Sequence, residues 1–144
     1  EILVTPGKVT IIAEAYSQWR QIFTDGRSHP DDPDLTFNGH SIGHWEGDTF
    51  VVDTTNLAPG TFRPTSTAQL HLTEKFRRTA QDTIEYTVTI DDPGSWSRPW
   101  TLVMLLKKTG ERTFEYACHE GNYGLAGILE GAREEERAAA KAQK

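Results

Sequence analysis

Leu70–Asp92 reads LHLTEKFRRTAQDTIEYTVTIDD, and the period of its apolar residues decides the fold. Ile84, Tyr86, Val88 and Ile90 share one face, opposite Glu85, Thr87 and Thr89, which is the alternation of a half-buried strand. Leu70, Leu72 and Phe76 repeat that pattern upstream, with Glu74 on the same face. The polar stretch Thr79–Asp82 joins the two runs as a hairpin.

The same texture extends outward in both directions. "GHSIGHW" and "TFVVDTTNL" flank Glu46, Gly47 and Asp48, a hairpin signature. "EILV" and "VTIIAEAY" surround Thr5, Pro6, Gly7 and Lys8, and "SQWRQIFTDG" is a third strand stopped by Asp25 and Gly26. "WTLVMLLKK" and "TFEYACHE" are expected to form a last hairpin around Thr109 and Gly110. Because "TLVMLL" is apolar on both faces, it reads as a central strand. Three polar, proline-bearing segments are loops: "RSHPDDPDLTFNG", "LAPGTFRPTSTAQ" and "DDPGSWSRP".

About eight or nine short strands with polar turns indicate an all-β fold with a C-terminal helix, an antiparallel up-and-down barrel or sandwich. Meander order favours a calycin/lipocalin-like barrel, and the tryptophan of "GHW" resembles the lipocalins in a small way. Residues 1–124 are expected to form the β domain and 125–144 a helix or tail of the same domain. Leu125, Ile128, Leu129 and Ala132 stand at helical spacing and would dock that helix. The "EEER" run beyond them is a solvated face, or a surface for another subunit.

A chain of 144 residues is long enough for one core. Its net charge of −6 argues against nucleic acid or an anionic membrane as a main partner. No apolar run approaches the roughly 20 residues that span a bilayer. Cys118 is the only cysteine, which excludes an internal disulfide. The chain opens "EILVTPGKV" without methionine, as expected of a processed chain or a fragment. A missing N-terminal region and other subunits are therefore expected partners beside a small molecule.

Candidate chemistry gathers on histidines and one carboxylate. His40, Ile42 and His44 point to one face of their strand. Side chains four residues apart on a strand stand roughly 13 Å from each other, too far to share a metal ion. A zinc or copper site would draw on His40, His44, His71 and His119 together with Glu46, Glu74 or Glu120, although no H-x-H or H-E-x-x-H spacing is present. Glu74, aimed at the core, must pair with a cation such as Arg20 or Arg77, or keep its proton. Either state suits a general acid or base, with His71 its nearest candidate partner in catalysis.

His40, His44, Trp45, His119, Glu120 and Asn122 are read as a ligand-binding rim. Simpler roles compete at several positions. Asp48 caps a tight turn, Asp53 leaves its strand toward the rim, and Asn122 caps the helix. Cys118 and His119 are adjacent on a strand and so face opposite ways, which makes Cys118 a small core residue rather than a nucleophile. Trp19, Tyr86, Trp96, Trp100 and Tyr116 either line a cavity or fill the barrel.

On "GHSIGHWEGDTFVVDTTN", "LHLTEKFRR" with "DTIEYTVTIDDP", and "FEYACHEGNYGLAGILEGAR", the chain resembles the C-terminal domain of a group of uncharacterised, predicted-secreted bacterial proteins. The resemblance spans nearly the whole chain. Its one departure is Phe114, where tyrosine is usual. It implies export to the periplasm or beyond and names no reaction.

The leading expectation is thus a secreted or periplasmic β-barrel that binds a small, partly apolar ligand at a His/Glu-lined mouth. An assembly module of a larger complex, with oligomer contacts through the C-terminal helix, is the alternative. A mononuclear copper or zinc site with oxidative or hydrolytic activity is the third reading.

Overall fold

A computed structural model describes residues 1–117 and 123–142. They form two units, Glu1–Phe114 and Glu115–Lys144. The first is one eight-stranded sheet curled into a half-barrel. Its strands are β1 (Ile2–Thr5), β2 (Lys8–Ala13), β3 (Gln18–Phe23), β4 (His40–Glu46), β5 (Thr49–Thr55), β6 (His71–Ala80), β7 (Thr83–Asp91) and β8 (Trp100–Lys107). In the second unit the element is α1 (Gly124–Ala142).

The strands lie side by side in chain order, so the meander is as expected, but the closed barrel and the sandwich are not: β1 and β8 are both edges. All neighbouring pairs are antiparallel except β3 and β4, which run parallel through Ile22–Ser41 and Phe23–Ile42. A parallel neighbour requires a connection of a dozen or more residues. Residues 24–39 supply it. Gly39 ends that loop at a φ of 63°, and a Cβ there would stand 2.4 Å from the Thr55 carbonyl oxygen, so only glycine fits this entry into β4.

Two further expectations fail at the far edge. β8 is an edge strand rather than a central one, with Val103 57% and Leu105 64% exposed. Apolar residues on both faces signal burial on both faces, but here only Trp100 of β8 packs against a buried cluster, and Leu102, Met104 and Leu106 of the inner row are exposed as well. Among the described residues its expected hairpin partner does not form, since Thr113–Ala117 are not in a strand. Cys118, His119, Glu120 and Asn122 lie outside the described residues.

Register builds the core in rows across the concave face. One row runs Ile22, Ser41, Thr54, Leu72, Ile90, Trp100, and the next Gly43, Val52, Glu74, Val88, Leu102. Val9, Ile22, Phe50 and Val52 form one buried cluster, and Leu57, Leu70, Val88 and Ile90 a second. Burying each such side chain contributes about 1.5–3 kcal/mol before entropy is charged. Trp96 and Trp100, 5.7 Å apart edge to face, pack against the second cluster with Phe62. Beside them Asp92, 1% exposed, accepts hydrogen bonds from the Thr67 amide and hydroxyl, the Gly94 amide and the Ser95 hydroxyl. Those donors hold its carboxyl below the usual range although burial pushes the other way.

Gly43 is required by packing. A Cβ on it would meet Phe50 Cζ at 2.6 Å and Ile22 Cγ2 at 2.9 Å, because the Phe50 ring lies over the glycine, as aromatic side chains do across strand glycines. Gly43→Ala is expected to destabilise the domain by about 1–3 kcal/mol through overpacking. Urea unfolding followed by tryptophan fluorescence checks this, and an unchanged midpoint would count against the packing.

Candidate functional site

Two polar clusters stand on opposite faces of the sheet. On the concave face, Leu72, Glu74 and Phe76 point inward from β6 because even positions of that strand face the core. Glu74 is 3% exposed. Arg20 of β3 donates from Nη2 to its Oε1 at 3.1 Å, and the Tyr86 hydroxyl donates to the same oxygen at 2.8 Å. Oε2 lies 2.9 Å from Arg20 Nη2, yet it receives no well-directed hydrogen bond among the described residues. Arg20, one of the two cations expected for Glu74, is thus its partner. Burial and the adjacent Glu74 charge hold the Tyr86 phenol well above its ordinary pKa of 10.0, so it remains a donor.

This buried pair sits at the wall of an apolar trough. A hollow of about 310 Å³ is lined by Ile11, Trp19, Phe76, Tyr86, Met104 and Leu106, among others. A second, of about 210 Å³, shares Ile11 and Phe76 and adds Ile2, Trp45, Phe50 and Ile84. Residues of β1 and β2 face residues of β6–β8 across it, which is the geometric consequence of the curl.

On the outer face, β5 presents Asp53 between Ile42 of β4 and Thr73 of β6. Two residues along each neighbour, on the same face, stand His40 and His71, at diagonal positions that long side chains bridge. His71 Nε2 lies 2.7 Å from Asp53 Oδ2. The other carboxylate oxygen, Oδ1, is 2.8 Å from Nε2 of His29, which descends from the 24–39 loop. His29 Nδ1 is in turn 2.8 Å from His40 Nδ1, with the Thr55 hydroxyl 3.2 Å away. His40 stacks on Phe23 at 5.4 Å, and the Arg27 guanidinium lies 4.0 Å over that same phenyl ring. Burial, then His29 and Arg27, lower the His40 pKa from 6.5.

The sequence-derived candidates therefore divide. His40 and His71 join one cluster, but Glu74 is on the opposite face from His71, so these two do not act on one substrate atom. His44 stands apart from that cluster, exposed and 3.1 Å from Glu46. Trp45 leans on Phe50 at 5.2 Å and lines the smaller hollow. Asp53 does not leave its strand, since β5 continues to Thr55. His29 was not a candidate at all. Its signal was the length of the loop that carries it, as structureless connections over about 12–15 residues are commonly functional.

Among the described residues no group of three or more His, Cys, Asp or Glu side chains is placed to hold one metal ion. The reason is visible in the contacts: the Nε2 atoms of His29 and His71 are directed at two different oxygens of Asp53. Set against family models, curated proteins and solved structures, the chain matches none of them.

Glu74→Ala leaves Arg20 without its counter-charge, and the expected loss is about 3–5 kcal/mol. The double change Arg20→Met with Glu74→Leu is expected to recover most of it, because an apolar pair needs no desolvation repayment. Chemical denaturation of the three proteins checks this. A single variant as stable as the parent would remove the pair's structural role.

Proposed function

We propose that the concave face binds a small, partly apolar ligand carrying a hydrogen-bond donor, such as an alcohol or an amine. The observation that carries this reading is the buried Glu74 oxygen beside an apolar trough, lacking a well-directed donor. An unsatisfied buried acceptor is costly, and a ligand hydroxyl or ammonium is the group that relieves it. Apolar walls with a few oriented polar groups are the usual composition of small-molecule sites. The meander order and apolar inner face support a calycin-like ancestry for such a site. Resemblance to predicted-secreted proteins supports a place in the periplasm or outside the cell.

Titration with a panel of medium-chain alcohols and amines tests the reading, with Trp19 on the wall as reporter. Saturable fluorescence changes are expected, weakened at least about tenfold by Met104→Lys, which puts a charge in the trough. No saturation by any member, or equal affinity in the variant, would refute it.

The edge at β8 favours a second reading, an assembly module. Among the described residues, the outer edge of β8 is an unpaired ladder whose only charged residue is the terminal Lys107, whereas protected edges carry prolines or charges along their length. Leu105→Lys is then expected to convert a self-associating or partner-bound form to monomer in analytical ultracentrifugation. A parent chain that sediments as a monomer at every concentration tested removes this reading.

A further inference from the structure

We propose that His40, His29 and Asp53 form a proton relay on the outer face, with His40 Nε2 as the atom that accepts a proton from a planar, weakly acidic O–H ligand. The site shares Trp19 and Asn38 with the rim of the concave trough but uses neither Glu74 nor the trough's other apolar walls.

With His29 and His40 both neutral, hydrogen-bond chemistry fixes the direction of the relay. A carboxylate only accepts, so His29 and His71 both present Nε2–H to Asp53. Neutral His29 then has a bare Nδ1. The Thr55 hydroxyl spends its proton on Asn56 Oδ1 at 2.7 Å, so the donor to His29 Nδ1 is the Nδ1–H of His40 at 2.8 Å. With its proton on Nδ1, neutral His40 carries a lone pair on Nε2. No partner occupies that atom among the described residues. Asp53 and His29 thus select the tautomer of His40 from a distance, in the way a buried aspartate orients a catalytic imidazole.

His40 lines a groove of about 460 Å³ together with Trp19, Gln21, Phe23 and Asn38. Trp19 is 58% exposed and offers an aromatic surface to a planar ring. Proton transfer here balances simply. The ligand O–H bond breaks, Nε2–H forms, and the ligand stays as an oxyanion beside an imidazolium. That imidazolium faces the ligand oxyanion, and its Nδ1–H is held by His29, which Asp53 orients. The charged groups around His40 are Arg27 and His29 from the loop and Asp53 from β5. Burial, His29 and Arg27 lower the His40 pKa, which keeps the ring neutral with Nε2 bare, and the adjacent ligand oxyanion offsets the cost of charging it. Below its lowered pKa, His40 is already protonated and uptake stops.

The experiment is titration of the whole chain with 4-nitrophenol, whose phenolate absorbs visible light. Binding is expected to raise the phenolate signal above that of free phenol at the same pH, with saturation. His40→Asn should abolish the rise. Asp53→Leu should weaken it about tenfold, because His29 Nε2–H then has no acceptor and nothing selects the Nδ1–H tautomer of His40. His44→Asn, which touches neither the relay nor its groove, should leave it intact. Nitrogen-15 spectra of the histidines supply a readout without ligand: His40 is expected protonated on Nδ1 and bare on Nε2 at pH 7. A His40 protonated on Nε2, an absence of saturable binding, or an unchanged signal in His40→Asn each overturns the proposal.

Discussion

Strand β5 sets the register on which both faces depend. Phe50, Val52 and Thr54 point inward and are buried, so Asp53 must point outward between β4 and β6. A slip of one residue would exchange the two sets, placing a carboxylate in the core and valine and threonine on the outer face. The slip is opposed from both sides. Phe50 can lie over its neighbour only at Gly43, and Thr54 meets Ser41 through a buried hydroxyl pair at 2.9 Å. Packing on one face therefore fixes the chemistry of the other.

The parallel pairing of β3 and β4 is the second constraint. Joining parallel neighbours requires a long crossover, and this one carries side chains onto the outer face of the sheet. Thr36 pairs with Leu57, the Thr36 amide donates to the Asn56 carbonyl, and the Asn38 side chain donates to the Trp19 carbonyl. Those ties hold the loop against the sheet, where His29 meets Asp53. The same connection that departs from an up-and-down barrel thus completes the outer cluster.

Much of this was legible from residue types. Period two gave the hairpins β4–β5 and β6–β7 with their turns, Gly47 entering the first at a φ of 63°. Glu74 was readable as an inward carboxylate because its neighbours at even positions are apolar, and Arg20 was among its expected partners. Parity alone also separates Glu74 from His71, since they stand three positions apart along one strand. What was not legible depends on partners remote in the chain. Nothing local in "GHSIGHW" says that its neighbour on one side is parallel. Nothing in "TLVMLL" says that one of its faces meets no strand or helix within its own unit. His29 lies in a segment with no periodicity, so pattern reading has no purchase on it, and only the contact with Asp53 shows its use.

The two polar clusters differ in how they hold charge, and the difference follows from depth. Glu74 is almost wholly buried, so desolvation demands a full counter-charge, and Arg20 with Tyr86 supplies it. Such a pair is rigid and poorly suited to exchanging protons. Asp53 is about one-third exposed and its partners are imidazoles, which switch between neutral and charged forms near physiological pH. A carboxylate of that kind can orient neighbours without locking them. The inner cluster accordingly suits binding and the outer one proton movement, and the alternation of a single strand, β5, places a valine against the first and the aspartate at the centre of the second.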